Sequence, residues 1–360
     1  AGSYGANGGS VWVGASPTLA AADRAVMVAS RTGQTNVAGS SVHVWGSALT
    51  GGAGVGERRF SQIGYNRREG ATTVALAATG RIRVGAINDI EVISNKYAVG
   101  LLGSGGWPGN DHSGFASYAQ IGHGGDRDAV ANMELTGEIV VEAGRDLTGS
   151  GGKTRENFVL IGHGGYDNAT STSAKLGGDI VVTVGNNLSM SGGQGIHSFA
   201  QIGHGGARHP VLDFAVSDIT VTAGGDITLR GGAGGAGGSS NGAHARIGHG
   251  GYDSPVQAPG SGYAGDIHVI ADGNLALLSG GGGSAYNYAQ IGHGGIRIAG
   301  DHSGDICVVA GTGAILDSSA TTGSYGYAQI GHGGESSAGN HDGDINVVAP
   351  DGSLSLVAGN

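Results

Sequence analysis

Short stretches in which apolar and polar residues alternate recur along most of the chain, and they come in three kinds. The first reads Gly-Asp-Ile-x-Val-x-Ala, at residues 178–184, 265–271, 304–310 and 343–349, with variants at 88–94, 137–143 and 217–223. The second follows about ten residues later, as in Leu188-Ser189-Met190, Ile227-Thr228-Leu229, Leu275-Ala276-Leu277 and Leu354-Ser355-Leu356. The third is an octapeptide, Tyr288-Ala289-Gln290-Ile291-Gly292-His293-Gly294-Gly295. It has full copies at 118–125, 158–165, 199–206, 244–251 and 327–334, and a degenerate copy that begins at Phe60. Alternation with period two marks a strand with one buried face. In the octapeptide Ala289 and Ile291 fall on that face, and Tyr288 and Gln290 fall on the other.

The equivalent histidines His123, His163, His204, His249, His293 and His332 lie 40, 41, 45, 44 and 39 residues apart. A near-constant period of this size signals a solenoid, a propeller or an array. Three strands per repeat with glycine-rich corners and no helical pattern predict one coil of an all-β parallel β-helix. Stacked coils place equivalent residues about 4.8 Å apart. Ile139, Ile180, Ile219, Ile267, Ile306 and Ile345 are then expected to form one buried ladder, and Val141, Val182, Val221, Val269, Val308 and Val347 the next. A coil cannot bury its inner face alone, so neighbours supply the core. Four-stranded propeller blades fit the period too, but they need more even strand spacing.

This pattern predicts a single β-helix over residues 41–360, with about seven coils and a last coil that stops after its second strand. At the stacking distance of strands that is a rod of roughly 35 Å. Residues 1–40 hold strand-like pieces but no octapeptide, and are expected to cap the rod or to join subunits. Residues 3–9 weakly echo 324–334, which suggests that one subunit's start completes the last coil of the next. Residues 71–86 are expected to insert an extra strand pair. The connections 166–177, 207–216 and 252–264 vary in length, the mark of a row of loops on one face.

Composition narrows the classes. Glycine supplies 78 of 360 residues, but the strong periodicity argues against low-complexity disorder. Net charge is −10 with 13% charged residues, and the scattered Lys and Arg leave no nucleic-acid footprint. A lone cysteine, Cys307, excludes an internal disulfide framework. No apolar run reaches the ~18 residues of a membrane span.

Three repeated rows are candidates for chemistry. The histidine row reads either as metal ligands or as corner residues, whose neutral rings donate to one coil and accept from the next. Six equivalent histidines offer no closed mixed set of four zinc ligands, which favours the corner. Asp179, Asp218, Asp266, Asp305 and Asp344, with Asp89 and Glu138, form an acidic row. Either loop N–H groups and solvent offset its repulsion, or a cation, with calcium the candidate, bridges it. The outward row Tyr118, Phe158, Phe199, Tyr288 and Tyr327 runs beside Gln120, Gln201, Gln290 and Gln329. Stacking along the rod explains it best, and a grip on sugar rings is the alternative. A further outward row, Ile93, Thr183, Thr222, Ile270, Val309 and Val348, is mostly apolar, which suggests cover by loops or lateral contact with another copy. No nucleophile elbow, zinc-protease helix motif or phosphate loop is present.

The run of residues 178–193, Gly-Asp-Ile-Val-Val-Thr-Val-Gly-Asn-Asn-Leu-Ser-Met-Ser-Gly-Gly, resembles the repeats of filamentous-haemagglutinin-type exoproteins, as do 217–232 and 265–281. The resemblance covers roughly 88–360, and it is to a repeat style with coils of about half this period. It implies a right-handed β-helix that is secreted or held at the cell surface, with a part in adhesion and biofilm. The Ala-Gln-Ile-Gly-His-Gly-Gly element looks like one found in similar large bacterial surface proteins. Together these features predict a non-catalytic structural segment of an extracellular fibre or adhesin. Its expected partners are other copies of itself, head to tail and laterally, and a surface polysaccharide or host surface. A carbohydrate-binding or carbohydrate-cleaving β-helix, and a calcium- or zinc-binding repeat protein, are the alternatives.

Overall fold

Each repeat forms one coil of a parallel β-helix. The protein is represented by a computed structural model that describes residues 11–14, 26–28, 32–46, 59–65, 76–94, 117–125, 133–152, 156–166, 174–208, 213–233, 242–253, 262–281, 285–319 and 325–358. Among these residues all regular structure is strand, and every pairing is parallel. Ile139 faces Ile180 one coil on, so a repeat of about 40 residues is one wide coil. The Gly-Asp-Ile strands build an eight-stranded sheet 1, the Leu-x-Met strands a nine-stranded sheet 2, and the octapeptides an eight-stranded sheet 3.

The predicted ladders pair throughout but are not buried at their last members, Ile345 being 51% exposed and Val347 only partly buried. Ile139 through Ile306 and Val141 through Val308 pair in register along sheet 1 and are shielded from solvent, as are Ala289 and Ile291 of sheet 3. One continuous apolar core runs the length of the rod between the three sheets. Glycine corners let successive strands turn within a coil without pushing its neighbours apart.

Three short sheets lie outside this triangle, two of four strands and a two-stranded one of His302–Ser303 and His341–Asp342, mostly in connections that alternation alone marked as loops. Gly164–Tyr166, Gly205–Ala207, Gly250–Tyr252 and Gly294–Ile296 form a cover sheet. It doubles back over the outer face of sheet 3 and encloses a second apolar core with Tyr118, Phe158, Leu160, Phe199 and Tyr288. Leu76–Ala78, Met133–Thr136, Ala174–Gly177 and Asp213–Phe214 form a flank sheet, which leads into sheet 1 over a third cluster around Leu135 and Leu176.

Three expectations about the early coils change. Residues 88–94 belong to sheet 2, because Ile90 pairs with Leu147 and Val42. The sheet 1 strand of that coil is Ile82–Ala86. Strands Leu76–Ala78 and Ile82–Ala86 are therefore the regular coil, not an inserted pair, and the extra length falls at 95–116, outside the described residues. Ile93 accordingly leaves the outward row of sheet 1, and Gly85 takes its place beside Glu142. Residue 40 marks no change of architecture, since Val11–Gly14 and Val26–Val28 already pair with Val42–Trp45 and Arg59–Ile63. Residues 3–9 lie outside the described set.

Candidate functional site

The octapeptide corner concentrates the repeated polar groups. In Gly203-His204-Gly205-Gly206 the three glycines have φ of 145°, 107° and 123°. Only glycine adopts these angles cheaply, so the chain can leave sheet 3, turn round the histidine and enter the cover sheet. A Cβ on Gly203 would lie 2.0 Å from the Gly248 carbonyl oxygen of the next coil.

Every ladder histidine makes the same two bonds. The backbone N–H of His163 donates to His204 Nδ1 at 2.9 Å, and His204 Nε2–H donates to the Gly178 carbonyl at 2.6 Å. His123 accepts from Tyr65, His163 from His123, His249 from His204, His293 from His249 and His332 from His293. Their Nε2 atoms meet the carbonyls of Gly80, Gly137, Ser217, Gly265 and Gly304. An Nδ1 that accepts carries no proton, so each ring is the neutral Nε2–H tautomer. Nδ1 ties one coil to the preceding one, and Nε2 closes the ring's own coil against the start of sheet 1. The rings stack with centroids 4.8 to 5.1 Å apart. Burial lowers their pKa values, to about 4 for His204. Neither nitrogen keeps a lone pair for a metal, which would first have to break a bond between coils.

The aromatic and glutamine rows point away from the main core, as alternation requires, but the cover sheet buries them. Tyr118, Phe158, Phe199 and Tyr288 are at most 1% exposed and present no ring face to a sugar, while Tyr327 is only partly buried. The rings stack at 4.7 to 5.0 Å, with His244 in line between Phe199 and Tyr288. Gln120 Nε2 donates to the carbonyls of Gly162 and Gly164, and Gln201 and Gln290 repeat this one coil on. Gln329, in the last octapeptide, bonds the His332 carbonyl. The amide therefore adds a donor to the glycine carbonyls of the tight corner; the Gly333 carbonyl takes the Gly295 N–H beside it.

The amide oxygens are left over: those of Gln120, Gln201 and Gln290 are buried without a partner. Gln62 Oε1 takes a long bond from the Tyr118 hydroxyl at 3.5 Å, whereas Gln120 Oε1 is buried without a partner beneath Phe158. Phe158→Tyr places a hydroxyl over this oxygen, but Tyr327, one coil on from Gln290, leaves both its hydroxyl and that amide oxygen unpaired, so stability in urea unfolding is expected to change by less than about 0.5 kcal/mol. Phe199→Tyr stands over Leu160 instead, offers its hydroxyl no such acceptor, and is expected to lower it.

The acidic row is a hydrogen-bonded ladder. Asp179 Oδ1 accepts the N–H of Asp218 at 3.0 Å, and Asp218, Asp266 and Asp305 repeat the contact toward Asp266, Asp305 and Asp344. Backbone N–H groups thus offset the repulsion, one carboxylate oxygen per coil being engaged. Among the described residues no three His, Cys, Asp or Glu side chains converge as metal ligands would. A matching ladder at the next corner escaped the sequence reading: Asp89, Asp146, Asn187 and Asp226 accept from Asp146, Asn187, Asp226 and Asn274. Its signal was an Asp or Asn before the first Leu or Ile of each sheet 2 strand.

Some polar groups do not repeat. The Tyr166 hydroxyl donates to Glu156 Oε1 at 3.1 Å and lies 3.1 Å from His197 Nδ1, all three being buried. Ala207 leaves the gap between Tyr166 and Tyr252 into which His197 fits. Arg246 replaces glutamine and is fully buried, donating to the carbonyls of His249, Gly292 and Gly294. On the outer face of sheet 2, Glu91 accepts from Trp45 Nε1 and pairs with His43. No protein-family model, curated protein or solved structure matches the chain.

Proposed function

We propose that the chain is a structural rod, a β-helical segment of an extracellular fibre or adhesin that associates end to end with copies of itself. The observation that carries this reading is where the repeated polar groups are used. The histidine, glutamine and aspartate rows spend their hydrogen bonds between coils and at corners, and present no converging set toward a ligand. The cell-surface setting rests on the resemblance of the repeats to exoprotein repeats. Self-association is supported by the in-register parallel stacking of like coils, a mode of packing that a second copy of the same repeats could extend.

Electron microscopy of the purified chain tests the reading. Filaments with an axial repeat of one chain length, unchanged by a chelator, are expected. Dispersed short rods would remove the end-to-end element, and filaments that dissolve on chelation would turn the aspartate row into a cation site.

A further inference from the structure

A rod held together by imidazoles has a specific weakness. Six rings sit in one file, each with Nδ1 taking a backbone N–H from the preceding coil and Nε2 donating within its own coil. We propose that this file is an acid-sensitive lock, which holds successive coils together at neutral pH and releases them when the rings take up protons.

A proton can add only at Nδ1. There it turns the acceptor into a donor facing the N–H it was bonded to, so the bond between coils is lost and two donors oppose each other. A charged ring also sits about 5 Å from the next imidazole, and like charges at that distance repel.

The groups around the file mostly oppose charge. At the entry to sheet 1, Asp179 beside His204 and Asp305 beside His332 favour the protonated form. From the outer side of sheet 3, Arg246 disfavours it for His249, His293 and His332. On the flank side stand Phe214, 4.7 Å from His249, and Tyr263, a phenol that burial keeps neutral. His341 also disfavours charge on His332, and His302 on His293, burial holding His302 itself down to about 3. Desolvation is the largest influence on every ladder ring.

The sign follows from the lowered folded-state values. Above the unfolded imidazole pKa of 6.5 both states are neutral and stability is full. Below it the unfolded chain binds protons that the folded rod refuses, so stability falls until the folded value is reached, about 4 for His204. Each ring contributes about a tenfold loss in the folding equilibrium constant per pH unit across that window. A coil that opens exposes its rings, which then titrate like free imidazole, so uptake is shared among neighbours and the response is steep.

The test is urea unfolding of the whole chain from pH 8 to pH 5. The folding constant is expected to be level above pH ~7 and to fall at least ~100-fold per unit below pH 6, an uptake of two or more protons. A level constant down to pH 5 overturns the proposal. His204→Asn keeps an oxygen for the His163 N–H but cannot titrate, and should reduce the slope by one proton. Asp266→Asn should leave it unchanged, and the reverse pattern counts against the lock. If His204→Asn does not fold, imidazole 15N shifts of the native chain decide at pH 5.5. Neutral Nε2–H rings in all folded molecules agree, and a protonated ladder ring in an intact rod overturns it.

Discussion

Gly203→Ala is expected to break the rod in the middle. The new methyl would sit 2.0 Å from the Gly248 carbonyl oxygen and 2.5 Å from its carbon, both backbone atoms of the next coil. The residue also has φ of 145°, outside the range an alanine tolerates. Relief requires the two coils to move apart by more than 1 Å, and the same displacement stretches the His204–His249 bond and the glycine carbonyl contacts of Gln201. These losses act together, so the cost should exceed about 4 kcal/mol, the range reserved for backbone strain combined with a lost buried network.

Because each coil touches only its neighbours, the damage should be local at first. Limited proteolysis is expected to cut between residues 203 and 248 and to release the two halves, where the parent chain resists. Gly85→Ala supplies the contrast. Its Cβ would meet nothing within 4 Å, on the outer row of sheet 1. It should be neutral or stabilise by about 0.5 kcal/mol, by restricting the unfolded chain. Equal losses at the two glycines would mean that the corner is not the tight point of the fold.

The main core was legible because period two and period 40 coincide. Ile180 and Val182 point inward by alternation, and their repeats at 219 and 221 force the stacking. What alternation cannot say is whether the other face meets water. Alternation places Phe199 and Gln201 on the outer face of sheet 3, but the three residues Gly205–Ala207 fold over them. A strand of glycines has no alternation to read. The usable clue was chemical: the octapeptide's outward positions carry aromatics, glutamine and leucine, and one charge in six full copies, Arg246. A solvent-facing strand would carry more.

The early frame slip has a different cause. Asn88-Asp89-Ile90 looks like Gly178-Asp179-Ile180, yet it occupies the corner of Asp146-Leu147. Both corners place an Asp or Asn before an aliphatic residue because both use the side-chain oxygen to take an N–H from the next coil. Two corners that solve one problem with one residue type cannot be told apart locally. The Cα partners of the following strand decide between them.

Arg246 shows the second core under strain, and Arg246→Gln is expected to stabilise the protein. The guanidinium is fully buried, donates to three backbone carbonyls, and has no carboxylate among those partners. Its Nε has no acceptor at all. Taking a cation out of water costs several kcal/mol unless a counter-charge offsets it, and carbonyl dipoles do so only in part. Glutamine already does the same work one coil away, where Gln201 Nε2 reaches the carbonyls of Gly248 and Gly250 at 3.2 Å without a charge. At 246 it would meet Gly292 and Gly294 in the same way. The shorter side chain leaves a small void worth about 0.5–1 kcal/mol, and its Oε1 is buried unpaired as that of Gln201 is, at about 1 kcal/mol; both trim the gain. A net rise of about 1–2 kcal/mol in urea unfolding is therefore expected. Arg246→Lys separates charge from shape: it keeps the buried cation but loses the planar fork that reaches three carbonyls, and should cost about 2–4 kcal/mol. The histidine file should respond as well. Arg246 is one of the charges that hold His249, His293 and His332 neutral, so its removal lets them protonate at higher pH. Proton refusal by the folded rod then shrinks, and the stability of Arg246→Gln should fall less steeply below pH 6.5 than that of the parent. A variant less stable than the parent at pH 7.5, or one with a steeper acid slope, would show that the guanidinium is compensated by its carbonyl cage and that the charge carries no penalty.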